Sequence, residues 1–169
     1  MSLLDDQNFL DFYVAAKKCC YSSRRNAIVL ANGGRQYVFR DDHWPQWYYR
    51  DVCHGDNPFF GRAVVEEMQH ECSDDPLWAP VAQMTYNGYA SGTEEEVKRM
   101  FAFLKKSPQR ISVQSPFQEP TKLNVVEDDL TYCSKWERKG VFLVMGQEFI
   151  QGTLNAYRYD LNFQFCVLR

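Results

Sequence analysis

Three side chains in this sequence have the types that acid and base chemistry needs: Asp51, His54 and Glu148. Asp51 and His54 share the run Trp47-Tyr48-Tyr49-Arg50-Asp51-Val52-Cys53-His54, which is rich in β-prone residues. Strand alternation puts Trp47, Tyr49, Asp51 and Cys53 on one face and Tyr48, Arg50, Val52 and His54 on the other. Whichever face turns inward therefore carries an ionisable group among aromatic rings. Such a group needs a partner, and a cleft that holds one is a candidate site. The plainer reading is an edge strand with Arg or Asp in water. Glu148 is a second isolated carboxylate, close to the end of the apolar run Val141-Phe142-Leu143-Val144-Met145, and its plainer reading is a solvated strand end. If the fold joins them, Asp51 and Glu148 can act as acid and base, with His54 as a proton shuttle.

Other chemistries find little support. His54, His70, Cys53 and Cys72 have metal-ligand types, but Cys53 and His54 are adjacent and His70-x-Cys72 lacks finger spacing, so no metal is expected. The sequence holds no Gly-x-Ser-x-Gly, Gly-x-Gly-x-x-Gly, phosphate loop or His-Glu-x-x-His, and no cofactor is expected. What remains is an aromatic excess: 12 Phe, 10 Tyr and 4 Trp in 169 residues. Trp44, Trp47, Tyr48, Tyr49, Phe59, Phe60, Trp78, Tyr86, Tyr89, Tyr132, Trp136, Tyr157 and Tyr159 fall in or beside β-prone runs. Most belong to a core, and the surplus can line a pocket with hydroxyl and indole handles. The residues expected to line it are Tyr49, Asp51, His54, Tyr86 and Glu148.

The elements that must position these residues are legible in outline. Apolar residues at helical spacing predict a helix over 6–20, with Asp5 and Asp6 at its N-terminus. Asn32-Gly33-Gly34 separates two β-prone runs and predicts a hairpin. The strand carrying Asp51 is stopped by Gly55-Asp56-Asn57-Pro58, and a second hairpin strand follows over 59–68. A loop over 69–80 and a strand over 81–86 that gives way around Gly88 come next. Thr93 with Glu96 three residues on is a capping box, and Val97, Met100, Phe101 and Leu104 make an apolar stripe, so a helix spans 93–107. Pro108, Pro116 and Pro120 mark an irregular connection. Four β-prone runs close the chain, at 123–127, 130–138, 141–150 and 155–167, the last split near Asp160-Leu161-Asn162.

Connections this short exclude parallel crossovers. The expected fold is therefore α+β, one single domain over 1–169, with a curved, mostly antiparallel sheet of about eight or nine strands. Two helices cover one face, and the sheet closes on itself as a half-barrel or cone with a mouth. A net charge of −3, from 19 basic and 22 acidic residues, speaks against direct binding of nucleic acid. The sequence shows neither a membrane-spanning run nor a signal segment, which with six cysteines lacking any C-x-x-C points to the cytoplasm, no membrane and free thiols.

Tyr49-Arg50-Asp51-Val52-Cys53-His54-Gly55-Asp56-Asn57-Pro58-Phe59-Phe60-Gly61 resembles the signature Tyr-x-Asp-x-x-x-Gly-x-x-Pro-Phe-x-Gly of an uncharacterised bacterial domain family. Further similarity runs through Met84-Thr85-Tyr86-Asn87-Gly88 and through Gly146, Glu148, Ile150, Gly152, Tyr157 and Tyr159. Some members look like sensor domains attached to helix-turn-helix regulators, a domain this sequence does not carry. The sequence departs from the pattern in a longer insert over 67–75 and in Ala82, where an aromatic is expected. Together these readings favour a sensor-like domain that binds an unknown small molecule in an aromatic pocket. An enzyme using Asp51, His54 or Glu148 as acid or base, and a protein–protein interaction module, are the alternatives; a homodimer is left open.

Overall fold

The computed structural model of the chain describes residues 2–22, 27–70, 76–106, 122–127, 129–152 and 158–168. The N-terminal Ser2 accepts a hydrogen bond from the Leu4 amide and starts a 3-10 turn, Leu3–Asp5. Helix α1, Gln7–Ser22, follows. The Asp6 carboxylate accepts from the Asn8 and Phe9 amides at 2.9 and 3.3 Å, so Asp6 is the cap. Asp5 instead meets the Arg138 guanidinium across the molecule at 2.7 Å. The strands are β1 (Ile28–Val29), β2 (Arg35–Phe39), β3 (Trp47–His54), β4 (Phe59–His70) and β5 (Leu77–Ser91). Helix α2 (Glu94–Lys106) separates them from β6 (Lys122–Glu127), β7 (Leu130–Lys139), β8 (Leu143–Gly152) and β9 (Arg158–Val167).

All nine strands form one antiparallel sheet in the order β1-β2-β3-β4-β5-β9-β8-β7-β6. The sheet is curved and open, and both helices pack on its concave face. Inward positions of β3, β4, β5, β7, β8 and β9 meet Phe9, Phe12, Tyr13 and Ala16 of α1 and Met100, Phe103 and Leu104 of α2 in one core. Helix α1 is followed by the five-stranded meander β1 to β5 and helix α2 by the four-stranded meander β6 to β9, and the last strands of the two meanders pair with each other. Read outward from the β5/β9 seam, both halves run through their strands in reverse chain order.

Three boundaries differ from the sequence expectation. The strand expected over 81–86 runs from Leu77 to Ser91, taking in Pro80 and Gly88. Pro80 is tolerated because the pairing steps from Val65↔Ala82 to Glu66↔Pro80, a bulge that needs no ladder hydrogen bond there. Gly88 does not break the strand because the Phe59 ring packs over it: an added Cβ would lie 2.5 Å from Phe59 Cζ. The split near Asp160 is also absent, since that residue is paired on both sides, with Tyr89 and Phe149. Finally, Val141 and Phe142 belong to the turn before β8 and are exposed. The connection holding Pro108, Pro116 and Pro120 lies outside the described residues.

Candidate functional site

The inward face of β3 is the one bearing Trp47, Tyr49 and Asp51, all buried, because α1 supplies aromatic partners for that face. Phe9 packs edge-on against Trp47 at 5.5 Å, and Tyr13 against Tyr49 at 6.2 Å. Asp51 is only 8% exposed. Its Oδ1 accepts from the Tyr86 hydroxyl at 2.8 Å. Tyr86 belongs to β5, two strands away, and reaches Asp51 by laying its ring across Gly61 of β4. A Cβ at Gly61 would lie 2.3 Å from the Tyr86 hydroxyl and Cζ. The same device recurs in the second half, where Phe163 of β9 lies over Gly146 of β8. Tyr86 and Phe163 pair across the seam, each with its ring over the glycine of the strand on its other side.

Next to Asp51 opens a cavity of about 90 Å³. Asp51 and Tyr86 lie in its lining with Cys20 and Cys53, and its aromatic wall is made by Tyr37, Phe59, Phe101 and Tyr159. Phe59, Phe101 and Tyr159 form a cluster with ring centroids 5.9 to 6.1 Å apart. At the rim, Arg35 of β2 holds the β3–β4 turn, with one nitrogen 2.7 Å from Asp56 and another donating to the Gly55 carbonyl at 2.9 Å. Asn57 clamps the other side of that turn. Its side chain donates to the Ala90 carbonyl at 2.7 Å and accepts from the Ala90 amide at 2.8 Å, continuing the β4–β5 ladder beyond Phe59↔Gly88.

The electrostatics follow from burial. Desolvation raises the Asp51 carboxyl above its usual range, opposed by the Tyr86 hydrogen bond and by the charge of Lys17. Glu148, also 8% exposed, is raised by desolvation, with Lys17 and then the Tyr132 hydroxyl pulling the other way. The Lys17 ammonium, 3.8 Å from the Met84 sulfur, thus acts on both carboxylates. Tyr13, which donates to the same sulfur at 3.4 Å, feels both charges too. The Tyr49 hydroxyl is buried without a hydrogen-bond partner among the described residues, and burial holds its proton on. Burial likewise pushes the Cys20 thiol up to about 12, so it is a packing group and not a nucleophile.

Of the five expected ligand-lining residues, Asp51 and Tyr86 line the cavity and touch each other. Tyr49 and Glu148 are buried on the same concave face but outside that lining. His54 is on the opposite face. It stacks on Phe60 at 5.3 Å and borders a groove with Arg50, Val52 and Arg62. Asp51, His54 and Glu148 therefore do not meet around one cavity. Of the metal-ligand types weighed, Cys72 lies outside the described residues, as does Tyr157 among the aromatics. No group of three or more His, Cys, Asp or Glu able to hold a metal occurs among the described residues. Lys17, Gly61, Asn57 and Phe101 were not expected at the site from the sequence; Gly61 and Asn57 are legible there only as members of the Tyr49 to Gly61 segment, and Phe101 only as part of the apolar stripe of α2.

Fold and site together define an α+β protein with an open, curved antiparallel sheet that holds a carboxylate-floored, aromatic-walled cavity under two helices. The chain matches no protein-family pattern, no curated protein and no solved structure. No helix among the described residues is long and apolar enough to cross a membrane.

Proposed function

We propose that this chain is a sensor-like domain that binds a small molecule in the cavity over Asp51 and Tyr86. One observation carries the reading: a carboxylate nine-tenths removed from water lies in the lining of an open cavity that is otherwise walled by rings. A purely structural core gains nothing from such a group, because burying the charge costs free energy that the Tyr86 hydrogen bond offsets only in part. A ligand that meets the carboxylate directly supplies the rest. Acid–base chemistry that pairs His54 with Asp51 or Glu148 is disfavoured by the position of His54 on the other side of the sheet. Cysteines outside any disulfide at Cys20, Cys53, Cys133 and Cys166, among the described residues, support a cytoplasmic setting.

The test is a thermal-shift screen of the wild-type chain and Asp51→Ala against a metabolite library, with native mass spectrometry for a retained molecule. At least one compound is expected to raise the wild-type melting temperature, as any ligand selective for the folded state must. Asp51→Ala should keep its fold and lose that response. A mutant that is stabilised as strongly as wild type would remove Asp51 from the site.

A further inference from the structure

Charges and rings around the cavity say which class of ligand fits. Within the concave face, one cation, Lys17, acts on two buried carboxylates, Asp51 and Glu148. Of the two carboxylates only Asp51 lies in the cavity lining, and it shares the charge of Lys17 with Glu148. Lys17 lies outside the cavity lining, whose own cations are Arg35 and Lys105. Arg35 is committed to Asp56 and the Gly55 carbonyl. Lys105 stands in the last turn of α2, at the edge of the lining. Tyr86 supplies Asp51 with a neutral donor only. The same lining holds Phe59, Phe101 and Tyr159, aromatic rings of the kind whose π faces attract cations. A volume of about 90 Å³ has room for a handful of water-sized groups, the scale of a short branched amine.

Resting on the small-molecule reading above, we infer that the cavity takes a small organic cation of the protonated-amine class, with Asp51 as its counter-charge and the Phe59, Phe101 and Tyr159 rings as its apolar wall. The ammonium takes the place beside Asp51 that water or a proton would otherwise fill, and its alkyl part covers the rings.

Isobutylammonium, isobutanol and isobutyrate share one carbon branch and differ in the charge of the head group. Each is titrated into the wild-type chain and followed by the backbone amide shifts of Asp51, Phe59, Tyr86 and Tyr159. The amine is expected to move these amides with an affinity about tenfold above the alcohol, the scale of one charge pairing plus one cation–ring contact. The carboxylic acid should move them least. Asp51→Asn, which keeps an acceptor for Tyr86, is expected to remove most of the preference for amine over alcohol, leaving only the share of the cation–ring contact. Equal binding of the amine and alcohol by wild type, tighter binding of isobutyrate, or an unchanged preference in Asp51→Asn would overturn the cation assignment while leaving the pocket in place. If none of the three moves the cavity amides, the small-molecule reading of this cavity itself fails. The wild-type series decides the matter even if the variant is too unstable to titrate.

Discussion

Asp51 and Glu148 are carboxylates held where their charged forms are disfavoured, and this gives them a pH signature. Their folded-state pKa values lie above the ordinary 3.8 and 4.5. Between those values and the raised ones the folded chain binds more protons than the unfolded chain, so the stability these groups contribute is full at the acid end and is lost as pH rises. Asp51→Asn and Glu148→Gln should each flatten the fall in stability from about pH 4 upward, measured by urea unfolding at stepped pH. A steeper fall in either variant would contradict the assignment. The ring over Gly61 gives a second prediction. Tyr86→Phe removes the donor to a buried carboxylate and should cost about 1–3 kcal/mol. Gly61→Ala places a methyl against the Tyr86 ring and should also destabilise, and the two losses should fall well short of adding, because both act on one hydrogen bond. At this scale the alternation in Trp47 to His54 was readable, and so was the need for a buried ionisable group. The inward face was not, because it is chosen by Phe9 and Tyr13 of α1, some forty residues earlier in the chain. Nor was the ring seat at Gly61, whose occupant comes from another strand.

Elements were legible where their signals are local. The capping box that opens α2 is present: the Thr93 amide donates to the Glu96 carboxylate at 2.7 Å, and the Glu96 amide to the Thr93 hydroxyl at 3.3 Å. Thr93→Ala should cost about 1 kcal/mol in unfolding experiments. Because α2 supplies Phe101 and Leu104 to the cavity wall, the same variant should weaken any ligand response by more than its stability loss alone. Thr93→Ser, which keeps the hydroxyl, should restore both. Strand ends were less legible, for a physical reason. Pro80 and Gly88 read as breakers when only their own sequence neighbours are considered. In the sheet their fate is decided by Val65, Glu66 and Phe59 across the ladder, which supply a bulge at one position and a covering ring at the other. The hairpin at Asn32-Gly33-Gly34 shows the opposite case, since Gly33 has the positive φ of 79° that its sequence requested.

The molecule as a whole is two helix-plus-meander halves joined along one seam, and its fold class followed from element order and short connections. The likeness of strand order in the two halves was not visible in the sequence, which has no fixed repeat period. It shows only in equivalences of position, such as Tyr86 over Gly61 and Phe163 over Gly146. The carboxylates obey the same geometry loosely. Asp51 stands across from Ala63, and Glu148 across from Ser134, in the rows that flank those glycines. An open sheet also has two edges. β1 is two residues long, with Ile28 and Val29 both exposed, which limits its use as a template for another chain. Protection of backbone amides from hydrogen exchange should therefore be greatest in β5 and β9, at the centre, and least in β1 and β6. Faster exchange in β5 than in β2 would refute the seam as the most stable part.

The same seam sets the tempo of folding. Every other ladder in the sheet joins strands that are neighbours in sequence, whereas here Ala82 must find Val167 and Ser91 must find Arg158. Each meander can assemble from local contacts, so the chain entropy of a long loop closure falls almost wholly on one event, the docking of the two halves. The cavity exists only after that event, because Tyr86 comes from one half and Tyr159 from the other. A ligand in this cavity would be reporting that the last step of folding is complete.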